Sequence, residues 1–217
     1  MSLLFDFDNE QRSQKFVIGT DEAGRGPLAG PVVAAAVSFK DISSSLVDEL
    51  SLLNDSKKLT HKQREVLFEK IKKHACYSIT VIDVEEIEQI NILQAALKAM
   101  RISCENVFAQ LADEAEVFVD GKMLVPKLSL KQTAFVKGDG KSASIAAASI
   151  LAKVYRDKLM CDYAKQYPYY AWEQNKGYGT QKHIEAIKIY GITPLHRKSF
   201  LKNILPAKEE IQLMMEL

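Results

Sequence analysis

The chain is poor in the residues that mark several large classes of protein. Its three cysteines, Cys76, Cys104 and Cys161, are odd in number, far apart and free of any C-x-x-C pair. Neither a disulfide framework nor a structural zinc site is suggested, and a reducing cytoplasm is the simplest home. Long apolar runs are missing too. The weakly polar stretch from Ser142 to Val154 is alanine-rich and broken by hydroxyls, and it falls short of the roughly 20 apolar residues a spanning helix needs, so no membrane segment is expected. The opening MSLLFDFDNEQR places Asp6, Asp8 and Glu10 where a secretory signal carries basic and then apolar residues, so export is not expected. Nor is there a charge of one sign: 29 Lys and Arg against 28 Asp and Glu leave a net +1. Any phosphate binding must therefore be local and not a property of a basic protein. The four histidines, His61, His74, His183 and His196, lack ligand spacing and read as surface or helix-end residues.

What is present is the balance of a folded globular protein, 47% hydrophobic and 26% charged in 217 residues, enough to bury a substantial core. Phe16–Asp21 and Val32–Phe39 read as buried strands. The short Gly/Pro-containing segment between them suggests antiparallel neighbours. Thr60 with Gln63 three residues on forms a capping-box pattern ahead of a surface helix with Leu67 and Ile71 on one face. Cys76–Val84 reads as a third strand, and Leu93, Leu97, Met100, Cys104, Val107 and Leu111 recur at helical spacing. Glu116–Gly121 and Gln132–Gly138 are two further strands, followed by a long helix over Ser142–Tyr163. Thr180 caps a last helix that Gly191 and Pro194 end, with a short polar tail helix after it. No repeat, low-complexity tract or flexible linker interrupts the chain. The expected architecture is α/β: residues 1–165 as the main domain and 166–217 as a helical extension packed on it.

Three acidic sites each lie just past a strand: Asp21 with Glu22, Asp120, and Asp139 in KGDGKS. Carboxylates so placed can converge at one sheet edge and hold hard divalent cations, two of which can clamp the attacking and leaving oxygens of a phosphodiester. Taken singly, an aspartate after a strand is an ordinary turn residue. Neighbouring side chains on a strand also face opposite ways, so Asp21 and Glu22 are expected to share a site only if the backbone leaves the pleat near Gly24 and Gly26.

These residues sit in motifs that closely resemble those of the type 2 ribonuclease H family, bacterial ribonuclease HII in particular. The motifs are TDEAGRGPLAGPVVAAAV from Thr20, DSKKL from Asp55, VDG from Val119, KGDGKSASIAAASILAKVYRD from Lys137 and NKGYGTQKH from Asn175. The resemblance implies a ribonuclease H-like mixed sheet flanked by helices, with a small C-terminal helical extension. It implies a monomer that needs Mg²⁺ or Mn²⁺ and cuts RNA/DNA hybrids and duplex DNA containing ribonucleotides. By motif, Asp21, Glu22, Asp120 and Asp139 would hold metal. Gly24, Arg25 and Gly26 would contact the ribonucleotide through its 2′-hydroxyl, Lys57 would contact a phosphate, and Tyr178 would sense the RNA to DNA junction. Arg25 and the short segment before the first strand favour ribonuclease HII over the sister group, ribonuclease HIII. Lys141 and Lys153 are possible phosphate contacts without an assigned role, and Trp172 reads as core. The alanine-rich run after Ser142 reads as a helix packed tightly on the sheet. The ending EEIQLMMEL, with Gln212 and Leu213, loosely resembles the peptides that bind the bacterial sliding clamp; a solvated amphipathic helix is the commoner explanation of such a tail.

Overall fold

The strand VVAAAVS serves two cores at once. In the computed structural model, which describes residues 3–53, 59–202 and 204, Val33, Ala35 and Val37 enter one buried cluster, and Val32, Ala34 and Ala36 enter another on the opposite face. A strand covered on both faces loses the apolar/polar alternation of a half-exposed one, which is why this segment is apolar throughout. It is β2 (Val32–Ser38) of a five-stranded sheet with β1 (Phe16–Ala23), β3 (Cys76–Ile82), β4 (Ala115–Asp120) and β5 (Lys131–Phe135), in the order β3-β2-β1-β4-β5. β1 pairs antiparallel to β2 and β2 antiparallel to β3, whereas β1–β4 and β4–β5 are parallel. The sheet is thus mixed and flanked by helices, as expected.

One face is covered by α6 (Ala143–Gln166) and α3 (His61–His74), the other by α5 (Ile92–Leu111). The α3 capping box forms as read: Thr60 Oγ1 accepts from the Gln63 amide and Gln63 Oε1 accepts from the Thr60 amide. β3 stops at Ile82, two residues early, because Asp83 turns the chain by capping α4 (Val84–Ile90) through the Glu86 amide. That helix and α2 (Ser44–Glu49) were not read from the sequence. Beyond α6 lie α7 (Trp172–Asn175) and α8 (Gln181–Tyr190), capped by Thr180 and Gly191. They pack through Trp172, Tyr170, Ile187 and Met160. The expected tail helix, Gln212, Leu213 and Lys57 lie outside the described residues.

A further unread helix, α1 (Leu3–Gln11), mixes apolar and acidic residues and has two buried residues, Phe5 and Asp8. Asp8 accepts from the Ser144 amide (2.9 Å) and hydroxyl (2.8 Å) in the first turn of α6, while its Oδ1 has no partner among the described residues. Burial pushes this carboxyl from 3.8 up to about 6 against the hydrogen bonds it receives. The folded protein therefore binds this proton more tightly than the unfolded chain. The resulting stability is full below about 3.8 and is lost as pH rises through about 6. Asp8→Asn keeps an acceptor for Ser144 and removes the buried charge. It should stabilise the protein at pH 8 by about 1–3 kcal/mol, with the gain disappearing towards pH 4. A gain independent of pH in urea titrations, or a loss at pH 8, would show that the charge is not strained.

Candidate active site

Pairing between β1 and β4 reaches Thr20 and Val119; Asp21, Glu22 and Asp120 come just after it. Together with Gly24, Arg25, Gly26, Arg64, Ser149, Lys153, Arg156 and Tyr178 these three carboxylates line one cavity of about 400 Å³. The expected break in the pleat is not needed. β1 keeps its register with β2 through Ala23, pairing Asp21 with Ala35 and Glu22 with Ala34, so the two acidic side chains start from opposite faces. They share the cavity because it opens on the side of β1 where β4 no longer pairs, beyond Thr20 and Val119.

Each carboxylate is held by its own partners. Asp21 is buried, accepts from the Glu22 amide at 2.7 Å and is hydrogen-bonded by Ser149 of α6. Glu22 pairs with Arg25 at 3.2 Å. Asp120 accepts from the Gly138 amide at 2.7 Å. Asp139 follows Gly138 on a buried 3-10 turn, Gly138–Gly140, and is not among the residues lining the cavity. Burial, then Glu22, then Asp120 raise the Asp21 carboxyl well above the usual range. Glu22 is raised by burial and by Asp120, against the lowering effect of Arg25. Carboxylates whose charged forms are disfavoured by burial and by one another are stabilised as anions by a cation placed between them. Among the described residues, no three such side chains close into a cage that would bind a metal unaided. This donor set suits Mg²⁺ or Mn²⁺, which commonly take one or two carboxylates and complete their shells with water and substrate phosphate oxygens.

The remaining walls come from two loops. Gly24 has φ +99°, and a Cβ there would lie 2.1 Å from Arg156 Nε; only glycine fits this approach. A Cβ on Gly26 would meet the Tyr178 ring at 3.6 Å, so the GRG segment and Tyr178 face each other. Tyr178 is 45% exposed, leaving its ring open to a ligand. Its carbonyl accepts from His183 Nδ1 at 2.9 Å, which makes His183 Nε2 the acceptor for Trp172 Nε1–H at 3.0 Å. His183 and His196 are thus buried, not surface residues, with Nε2 atoms 3.2 Å apart. Burial lowers both, His196 to about 4, so the pair is neutral and fixes the Tyr178 loop. Trp172 is core, as expected.

Ser149, Lys153 and Arg156 were not assigned to the site from sequence. Their spacing of four and then three residues, one helix face directed at the carboxylates, is the signal that finds them. Arg64 of α3 carries no comparable pattern. Lys153 bonds Asp157 at 2.8 Å while lining the cavity.

The comparisons with known proteins converge on one family. Residues 18–203 match the family model described as ribonuclease HII. The ribonuclease HII of Fusobacterium nucleatum is 51% identical, covering 95% of this chain and 94% of that one. Among solved structures, ribonuclease H2 of Pyrococcus horikoshii superposes with a TM-score of 0.65 at 27% identity, over 91% of this chain and 99% of that one. Bst-RNase HIII in complex with Mn²⁺ superposes with a TM-score of 0.70 at 17% identity, over 97% of this chain and 73% of that one, and supports the fold alone. The chain belongs to the ribonuclease HII family and is a metal-dependent ribonuclease.

Proposed function

We propose that the protein hydrolyses the RNA strand of RNA/DNA hybrids and incises duplex DNA on the 5′ side of single embedded ribonucleotides, leaving a 3′-hydroxyl and a 5′-phosphate. The carrying observation is that three carboxylates, the GRG segment and the open ring of Tyr178 share one cavity. Asp21, Glu22 and Asp120, with Asp139 one residue beyond the amide that holds Asp120, would bind Mg²⁺ or Mn²⁺. The bound metal would lower the pKa of a water and offset charge on the phosphate oxygens.

The chain's own groups supply the rest. Ser149 and the Glu22 amide orient Asp21, and the Gly138 amide orients Asp120. Arg25 holds Glu22, and Arg64 and Lys153 add positive charge to the cavity that would take the phosphate backbone. Backbone groups of Gly24, Arg25 and Gly26 would read the 2′-hydroxyl, which distinguishes RNA from DNA. The Tyr178 ring, beside Gly26, would stack on the deoxyribose that follows. Two neighbouring sugars are checked, and the 2′-hydroxyl is read without attacking. Lys57 as a phosphate contact, and the tail around Gln212 and Leu213 as a sliding-clamp peptide, are proposals from sequence motifs alone.

The test uses a DNA duplex with one ribonucleotide and a uniform RNA/DNA hybrid, each with Mg²⁺, Mn²⁺ or EDTA. Tyr178→Ala should lower kcat/KM on the single ribonucleotide roughly tenfold more than on the hybrid, the scale of one lost base or sugar stacking contact. Equal losses on both substrates, or a 2′,3′-cyclic phosphate product, would contradict the reading.

A further inference from the structure

Two arginines are buried beneath the sugar-reading loops, and all seven of their hydrogen bonds among the described residues go to backbone carbonyls. Arg197 donates to Gly24 O (2.7 Å), Arg25 O (3.1 Å) and twice to Gly30 O (2.9 and 2.8 Å). Arg156 donates to Pro31 O (2.9 Å), Ala29 O (3.1 Å) and Lys176 O (2.9 Å). Both are essentially inaccessible to solvent. Burial lowers Arg156 to about 10 and Arg197 to about 9, which leaves both guanidiniums charged at neutral pH. Two buried charges with no carboxylate at ion-pair distance among the described residues are a costly way to fill a core. They are accommodated by carbonyl dipoles, and those dipoles belong to the GRG-to-Pro31 loop and to the base of the Tyr178 loop.

The consequence follows from peptide geometry. In a trans peptide the carbonyl and the following N–H point in opposite directions. With Gly24 O and Arg25 O drawn inward to Arg197, the N–H groups of Arg25 and Gly26 are turned the other way. Neither amide donates to a protein acceptor among the described residues. The polarised carbonyls also make these amides stronger donors. Arg156 ties the same loop to Lys176, while Leu28 N and Ala29 N bond Gly177 O, so Arg156 and these backbone bonds hold the loop that Arg197 organises against the base of the Tyr178 loop.

We propose that Arg197, with Arg156 behind it, is the positioning residue for sugar discrimination: it holds the Gly24 and Arg25 carbonyls inward so that the next two amides face the substrate sugar. This inference rests on the reading of the GRG segment given above. The experiment measures Kd for a duplex with one ribonucleotide and for the all-DNA duplex of the same sequence, with Ca²⁺ in place of the catalytic metal. The wild-type protein should prefer the ribonucleotide duplex. Arg197→Lys keeps the charge but cannot span three carbonyls, and should reduce the affinity ratio roughly tenfold, as expected for one or two misdirected hydrogen bonds. A merely structural role would lower the active fraction for both duplexes and leave the ratio unchanged. Arg156→Lys, which loosens the loop at Ala29 and Pro31, is measured in parallel and should move the ratio in the same sense. An unchanged ratio in whichever variant retains a cooperative thermal transition overturns the proposal. If neither folds, wild-type protein with ¹⁵N-labelled arginine decides: the Arg197 guanidinium signals should shift with the ribonucleotide duplex and not with the all-DNA duplex, and equal shifts refute it. Absence of any preference in the wild-type protein would instead remove the GRG reading itself.

Discussion

Asp120→Asn should lower turnover with Mg²⁺ about a thousandfold or more, equivalent to roughly 4 kcal/mol of transition-state stabilisation, while the fold survives. The carboxamide oxygen can still accept from the Gly138 amide, so the end of β4 keeps its anchor. What disappears is one negative charge opposite Asp21 and Glu22, both of which are raised by that charge. The variant should therefore melt at the same temperature or slightly higher while binding metal more weakly. Asp21→Asn should behave alike in activity. Near-normal turnover of Asp120→Asn with Mg²⁺ would mean that the metal-binding cluster has been misassigned.

Gly19→Ala should destabilise the protein by about 3 kcal/mol or more, at the severe end of overpacking. A Cβ at Gly19 would lie 2.1 Å from the carbonyl carbon of Ser144 and 2.3 Å from the Ile145 nitrogen. These are backbone atoms of the first turn of α6, so no rotamer change relieves the clash; the helix must move. Movement there disturbs the Asp8 contact with Ser144 and carries Ser149, Lys153 and Arg156 away from the carboxylates. Thermal melting should fall by about 10 °C, with activity of the folded fraction reduced as well. A shift within about 2 °C would show that α6 sits less tightly on β1 than these distances require.

What the sequence disclosed depended on the range of the interaction. The α3 capping box is a contact across three residues and was readable outright, as was the apolar run of strand length that assigns β2. The carboxylates were readable because each was expected at or just past a strand end and because the surrounding motifs are long, although β1 in fact runs on through Asp21 and Glu22 to Ala23. That Asp21 and Glu22 share a cavity without leaving the pleat was not readable, since it depends on where β4 ceases to pair. The two arginines were equally hidden: an arginine on a helix or in a loop ordinarily points to water, and the carbonyls that hold Arg197 lie about 170 residues away. His183 and His196 are buried by packing of the extension, which no local spacing reports. α1 escaped notice because only two of its nine residues, Phe5 and Asp8, are buried, too few to set up a periodic apolar face.

The dependence of the loop on Arg197 also orders events during synthesis. At roughly 5–20 residues per second, Asp21 and the GRG segment emerge several seconds before Asp120 and longer still before Arg197. Until that arginine is made, the carbonyls of Gly24, Arg25 and Gly30 lack their guanidinium partner. On the reading proposed above, a partly made chain carries the acidic residues of a nuclease without its means of choosing a sugar, and selectivity comes only when the chain folds back on its own beginning.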